Sequence, residues 1–240
     1  MSTVNLENVC KTYQSGDSTV AALRNITLTL HEGEFAALCG PSGSGKSSLL
    51  NIIGCLDKPT IGSISILGNQ VLPMGDDAIS DIRSKSIGFI FQAFNLIPVL
   101  TVYENIEYPL LLNRSPAADR RNRVTEMIEA LGLAGMANRR PAHLSGGQQQ
   151  RVAVGRALIT RPKLVLADEP TGNLDSATGL KIIELMRNLR DQHGSTLLFS
   201  THDPALLIFP DRIYHLSDGC IVRQEEVNAH VASVTQSGRS

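Results

Sequence analysis

Hydrophobic and polar positions change period several times along the chain, and each change marks an element. Residues 3–9 and 20–30 alternate in part, with Val20, Ala22, Ile26, Leu28 and Leu30 opposite polar partners, which predicts a half-buried antiparallel sheet. Gln14 to Ser18 between them is turn-rich. Phe35 to Cys39 is a continuous apolar run, the pattern of a strand buried on both faces. Ser48 to Ile53 reads as the first turns of a helix. Asp57 to Gly62 breaks the chain, Ser63 to Leu67 alternates as another strand, and 76–84 is helical with Ile79 and Ile82 on one face. Ile87 to Phe91 is a short buried strand that ends on Gln92.

From Ala93 the pattern shifts. Residues 102–112, 117–132 and 145–160 carry helical periodicity, and no strand signal returns before Leu164. Within this stretch Arg114, Arg120, Arg121 and Arg123 cluster beside Asp119 and Glu126, which reads as a solvated helix face. Leu164 to Ala167 is again a buried strand, 176–192 an amphipathic helix, and Ser195 to Ser200 a buried strand ending in Thr201-His202-Asp203. A hairpin over 211–223 turns at Asp218-Gly219, and 224–240 is polar and aperiodic, a frayed tail. The expected architecture is α/β. A core of about 1–92 and 160–223 includes an N-terminal antiparallel β subdomain, and an α-helical subdomain is inserted over about 93–159.

Composition narrows the function classes. Net charge is −1 and aromatics are 4% with no Trp, so neither a global basic field nor a base-stacking platform points to nucleic acid. The four cysteines, Cys10, Cys39, Cys55 and Cys220, form no C-x-x-C pair and no metal-ligand spacing. Cys39 and Cys55 read as small buried hydrophobes, and a reduced, cytosolic compartment is the simpler expectation. The first residues lack a basic segment followed by an apolar one, so no secretory leader is expected, and no apolar run reaches the roughly 18 residues of a membrane span. Any membrane component is expected on another chain.

The chemistry concentrates where buried strands end. Gly40-Pro41-Ser42-Gly43-Ser44-Gly45-Lys46-Ser47, followed by Ser48, fits G-x-x-x-x-G-K-[ST] between a strand and a helix start. Glycines there let successive N–H groups turn inward around a phosphate, and the helix dipole points at the same anion. Lys46 can reach the outer phosphates and the Ser47 hydroxyl can ligate Mg²⁺, so the chain is read as binding a nucleoside triphosphate. Asp168 closes a strand on the same edge, placed to hold Mg²⁺ through water, and Glu169 beyond it can orient and deprotonate an attacking water. His202 ends a core strand on that edge too and reads as a hydrogen-bond donor to phosphate. Ser145 is a natural N-cap before Gly146, Gly147 and Gln148, either a second anion site or simply a capped helix. Tyr13 has no role that position alone decides.

These motifs in this order resemble the nucleotide-binding subunit of ATP-binding-cassette (ABC) transporters over roughly residues 3–223, and Leu144-Ser145-Gly146-Gly147-Gln148 is the specific signature. The resemblance implies a phosphate-loop NTPase (RecA-like) core and ATP hydrolysis. It also assigns roles: Tyr13 stacks on adenine, Lys46 and the loop amides cradle phosphate, and Ser47 and Gln92 lie near Mg²⁺. Asp168 orients the metal, Glu169 is the base, Asn173-Leu174-Asp175 communicates across a dimer, and His202 contacts the terminal phosphate. Gln92-Ala93-Phe94-Asn95-Leu96-Ile97-Pro98, Thr101-Val102-Tyr103-Glu104-Asn105 and Thr201-His202-Asp203 look closest to the lipoprotein-release and macrolide-efflux group. Gly155 departs from the usual Ala of the signature helix, and Ser48 from the usual Thr. Implied partners are a second copy, head-to-tail, and an integral membrane permease, with the chain cytoplasmic and peripheral on the inner face of the cell membrane. Phe94 to Leu100 is either the docking groove for that permease or part of the buried helical subdomain. The rival reading is an ATP-driven mechanical regulator of cell-envelope enzymes with no transported substrate. A soluble ABC ATPase working on DNA or ribosomes is disfavoured by the single cassette and the absence of basic excess.

Overall fold

A computed structural model describes residues 1–16 and 18–227. The expected tail over 228–240 and Asp17 of the first turn lie outside the described residues. Two sheets organise the chain. Strands β1 (Ser2–Ser15), β2 (Ser18–His31), β4 (Ile61–Ile66) and β5 (Asn69–Gln70) form an antiparallel sheet in the order β2-β1-β4-β5. The other sheet runs β10-β9-β3-β8-β7-β6, from β3 (Phe35–Cys39), β6 (Ile87–Phe91), β7 (Leu164–Asp168), β8 (Thr196–Thr201), β9 (Arg212–Ser217) and β10 (Cys220–Glu226). All its pairs are parallel except β9 with β10.

The apolar runs of β3, β7 and β8 are continuous because both of their faces are covered. Phe35 and Ala37 face one hydrophobic cluster with Val165, Ala167, Leu197 and Phe199. Their neighbours Ala36, Leu38, Leu164, Leu166 and Leu198 face the other, with the antiparallel sheet and helix α1 (Lys46–Ile53). The first cluster also takes in α3 (Val102–Leu112), α4 (Ala117–Ala130), α5 (Gly146–Leu158) and α6 (Ser176–His193). Helix α2 (Asp76–Ser86) packs on the second through Ile79. The chain is therefore mixed α/β with an antiparallel β subdomain and a helical part, as the periodicity implies.

Four expectations need correction. Residues 224–226 belong to β10, not to a tail: Glu225 bonds His215 and Glu226 bonds Arg212 across the β9 ladder, so polar residues satisfy an edge strand. Arg120 and Arg123 do not simply face solvent. Arg120 pairs with Glu107 of α3 at 2.8 Å, and Arg123 donates to the Ile159 carbonyl at the end of α5, so both stitch the helical subdomain together. Cys39 is only half-buried, whereas Cys55 is buried as expected. The first turn is tighter than its sequence suggests, since Gln14 and Ser15 continue β1.

Glycines fix how closely α5 approaches. A Cβ on Gly88 would lie 2.3 Å from the Ala157 carbonyl oxygen, so β6 and α5 meet backbone to backbone. Gly155 is also closely approached, but by side chains rather than backbone. Its missing Cβ would fall 2.5 Å from Leu131 Cδ1, so the helix-propensity penalty is exchanged for close packing of α5 on the end of α4. Gly88→Ala is expected to destabilise the chain by about 3 kcal/mol through overpacking against backbone. A melting scan checks this, with the midpoint expected to fall by roughly 10 °C.

Candidate active site

Because β3, β8, β7 and β6 are adjacent and parallel, their C-terminal ends leave the sheet on one edge, where open α/β sheets place their ligands. From that edge come the loop of Gly40–Ser48, His202, Asp168 with Glu169, and Gln92. They bound a cleft of about 720 Å³ lined by Pro41, Ser42, Gly43, Gly45, Lys46, Ser47, Ser48, Gln92, Glu169 and His202.

The loop's glycines are required by geometry. Gly43 and Gly45 have φ of 80° and 105°, a region that L side chains rarely enter. A Cβ on Gly40 would lie 2.2 Å from the Leu216 carbonyl oxygen. The loop is therefore pressed against the β9 end, and the Gly219 N–H donates to the Ser44 carbonyl at 3.1 Å. Lys46 is buried at 6% exposure, and its Nζ donates to the Gly40 and Pro41 carbonyls at 2.8 and 3.0 Å. Glu169 Oε1 stands 3.5 Å from the same Nζ, and Glu169 Oε2 is 2.7 Å from His202 Nδ1. The base expected from the sequence is thus held between a lysine and a histidine at the mouth of the phosphate loop.

Ser47, Gln92 and Asp168 offer a hydroxyl, an amide carbonyl and a carboxylate. All are hard oxygen donors, and none makes an all-protein cage. Among the described residues no group of three His, Cys, Asp or Glu gathers to hold a metal. That donor set fits Mg²⁺, which takes one or two carboxylates together with substrate phosphates.

Other expected residues lie elsewhere. Ser44 is 3% exposed with its hydroxyl turned inward beside Gly40, so neither Ser44 nor Gly40 lines the cleft. Asp168 is set back, its Oδ1 taking the Ser200 hydroxyl at 2.7 Å. Tyr13 is outside the cleft lining: its hydroxyl donates to Asp57 Oδ2 at 2.9 Å, and Lys11 Nζ sits 4.8 Å from the ring centroid. Burial opposes ionisation of Asp57, but the hydrogen bonds from Lys11 and Tyr13 outweigh it and hold the carboxyl below its usual range.

Ser145 caps α5 in a reciprocal box with Gln148, and Gly146 and Gly147 pack beside Leu174 and Thr178, outside the cleft. Asp175 caps α6, and the hydrogen bonds of Thr178 hold its carboxyl low. Asn173 Nδ2 donates to the Gln92 carbonyl, so the 173–175 loop touches the cleft only through the backbone of Gln92.

Sequence reasoning missed one wall of the cleft. Val20, Ala21, Ala22 and Arg24 of β2 line it together with Asp218 and Gly219. The signal was the hairpin turn itself, since Gly219 bonds both Ser44 and Arg24 and so carries β2 onto the phosphate loop.

Comparison with known proteins shows what the chain as a whole is similar to. A family model described as "ABC transporter" matches residues 23–172. An uncharacterised ABC transporter ATP-binding protein of Methanocaldococcus jannaschii, MJ0796, is 47% identical over 228 residues, covering 93% of this chain and 97% of the relative. Its dimeric structure in a post-hydrolysis state bound to ADP and Pi superposes with a TM-score of 0.86, over 94% of this chain and 99% of that one. The macrolide export ATP-binding/permease protein MacB of Brucella melitensis is 44% identical over 91% of this chain, which spans 34% of that longer protein. The structure of cbiO1 from Clostridium perfringens, part of an ABC transporter complex, is 26% identical with a TM-score of 0.84, covering 94% of this chain and 88% of that one.

Proposed function

The chain belongs to the ABC transporter family as its ATP-binding, ATP-hydrolysing subunit, and from that premise we propose that two copies close head-to-tail around two ATP molecules. Each site pairs the phosphate loop of one protomer with Ser145–Gln148 of the other. One observation carries this reading. The cleft gathers Lys46, Glu169 and His202, while the capped glycines of α5 stand outside it against Leu174 and Thr178. The site within one chain therefore lacks its second set of helix-terminal amides. The structures of MJ0796 are described as dimeric, which supports self-association of the cassette.

In this reading Lys46 Nζ moves from the Gly40 and Pro41 carbonyls to the outer phosphates, and Tyr13, outside the cleft lining here and bonded to Asp57, must turn from Asp57 to support the adenine. Glu169 orients the attacking water and takes its proton, and His202 holds the Glu169 carboxylate and, on closure, the terminal phosphate. Mg²⁺ held by Ser47, Gln92 and, through water, Asp168 would neutralise charge between the outer phosphates.

Among the described residues no helix is long and apolar enough to cross a membrane. The cassette is proposed to act from the cytoplasmic face on a membrane permease, as the likeness to the ATP-binding/permease protein MacB supports. Of the expected docking stretch Phe94 to Leu100, Asn95 alone lines a neighbouring groove of about 350 Å³ with Phe89, Phe91, Pro109, Leu112 and Arg156, and that groove is proposed to take a short cytoplasmic helix of the permease. Arg156 fixes its rim by donating to the Phe94 and Asn95 carbonyls, and buried Asn105 bonds both Ile97 and Leu100. Likeness to MacB, named for macrolide export, supports export as the direction.

Mixing two inactive variants tests the shared site. Lys46→Ala removes the phosphate-loop half, and Ser145→Arg blocks the signature half. Neither alone hydrolyses ATP, but a mixture is expected to regain up to roughly a quarter of wild-type activity, because half the dimers then hold one complete site among two. If each site were built within one chain, the mixture would stay inactive, and that result would reject the head-to-tail arrangement.

A further inference from the structure

We propose that Ser200 is a positioning residue for hydrolysis, its single hydroxyl setting the two consecutive acids Asp168 and Glu169. This rests on the roles proposed above for those acids. β7 and β8 pair in parallel through Leu166 with Leu198 and Ala167 with Phe199, so one step further brings Ser200 beside Asp168. Ser200 is fully buried. Its Oγ donates to Asp168 Oδ1 at 2.7 Å and accepts the Glu169 backbone N–H at 2.8 Å.

Both contacts matter because of where Glu169 sits. Its φ is 46°, a left-handed conformation that a residue with a Cβ adopts only when its surroundings hold it there. The Gly172 N–H bonds the Glu169 carbonyl at 3.0 Å, and Ser200 takes its amide. The turn that aims the Glu169 side chain at Lys46 and His202 is thus pinned on both sides of the residue. The hydrogen bond that Ser200 donates to Asp168 Oδ1 fixes the orientation of that carboxylate at the end of β7.

A buried serine needs partners in any case, and Ser195 shows the ordinary solution, donating to the Pro162 carbonyl at 2.6 Å. Ser200 differs in that both of its partners belong to the two acids. A purely structural hydroxyl would change stability when removed. A positioning hydroxyl changes turnover and metal use at constant affinity for ATP.

Ser200→Ala removes one oxygen and adds no volume. It is expected to lower kcat about tenfold, leave KM for ATP within about twofold, and raise the Mg²⁺ concentration for half-maximal rate severalfold, as outer-shell partners of metal-side groups do. Hydrogen exchange at the Glu169 amide, read without nucleotide or metal, is expected to quicken about tenfold. Ser200→Thr, which keeps the hydroxyl, should recover most of the lost rate. Unchanged kcat and metal dependence in Ser200→Ala, or unchanged exchange at Glu169, overturns the proposal. So does a loss that appears in KM alone. Glu169→Gln assayed in parallel separates the two levels. If it loses hydrolysis while Ser200→Ala does not, only the role of Ser200 falls; if it keeps hydrolysis, the reading of the acids falls and Ser200 with it.

Discussion

Glu169→Gln is expected to cut ATP hydrolysis by at least about a hundredfold while leaving a dimer, loaded with ATP, that survives a sizing column. Two physical effects act together. The amide cannot take a proton from water, so the general base is lost. The carboxylate also stands 3.5 Å from Lys46 Nζ and 2.7 Å from His202 Nδ1, where it competes with phosphate for both groups. Neutralising it frees Lys46 and His202 for the nucleotide and removes repulsion toward the terminal phosphate, so closure on ATP becomes tighter as turnover stops. The check is elution volume with ATP and Mg²⁺ against nucleotide-free protein, together with phosphate release. A variant that elutes only as monomer and still hydrolyses ATP would remove both the base and the dimeric mechanism.

Most of this cleft was legible because parallel strands covered on both faces leave long apolar runs. Phe35–Cys39, Ile87–Phe91, Leu164–Asp168 and Thr196–Thr201 each lead into the residues proposed above for the chemistry. A list of strand ends on one edge is already a list of candidate site residues. What stayed hidden depends on pairing, which a single sequence does not display. Ser200 looks like the last residue of a strand until β8 is set beside β7. The wall made by Val20, Ala22 and Arg24 belongs to a strand whose alternation reports burial against the antiparallel sheet, and only the Gly219 turn brings it to the phosphate loop. Glu225 and Glu226 carry no apolar signal because β10 is an edge strand, and its ladder to β9 with side-chain hydrogen bonds to His215 and Arg212 takes the place of burial. The glycines at 88 and 155 look like weaknesses in a strand and a helix. Both are contact points for α5.

Lys46→Ala should lower ATP affinity by roughly a hundred- to a thousandfold. Its ammonium is 6% exposed at the base of the cleft, where a unit charge about 4 Å from a phosphate oxygen is worth about 4 kcal/mol at the effective dielectric of such sites. Each 1.4 kcal/mol is tenfold in affinity, and the lost bonds from Nζ to the Gly40 and Pro41 carbonyls relax the loop further. The net loss is smaller than the full charge interaction because Lys46 in the nucleotide-free chain must give up Glu169 to meet a phosphate, which sets the lower bound of the range. Calorimetric titration with ATP checks the value, and a melting scan without nucleotide shows whether the chain remains folded. Undiminished affinity in a folded variant would mean that Gly40–Ser47 is not the phosphate site. The loss should also exceed that of Ser145→Arg when each variant is titrated as a monomer. In the proposed arrangement Lys46 belongs to the half-site that a single chain carries, whereas Ser145 acts only once a second copy arrives.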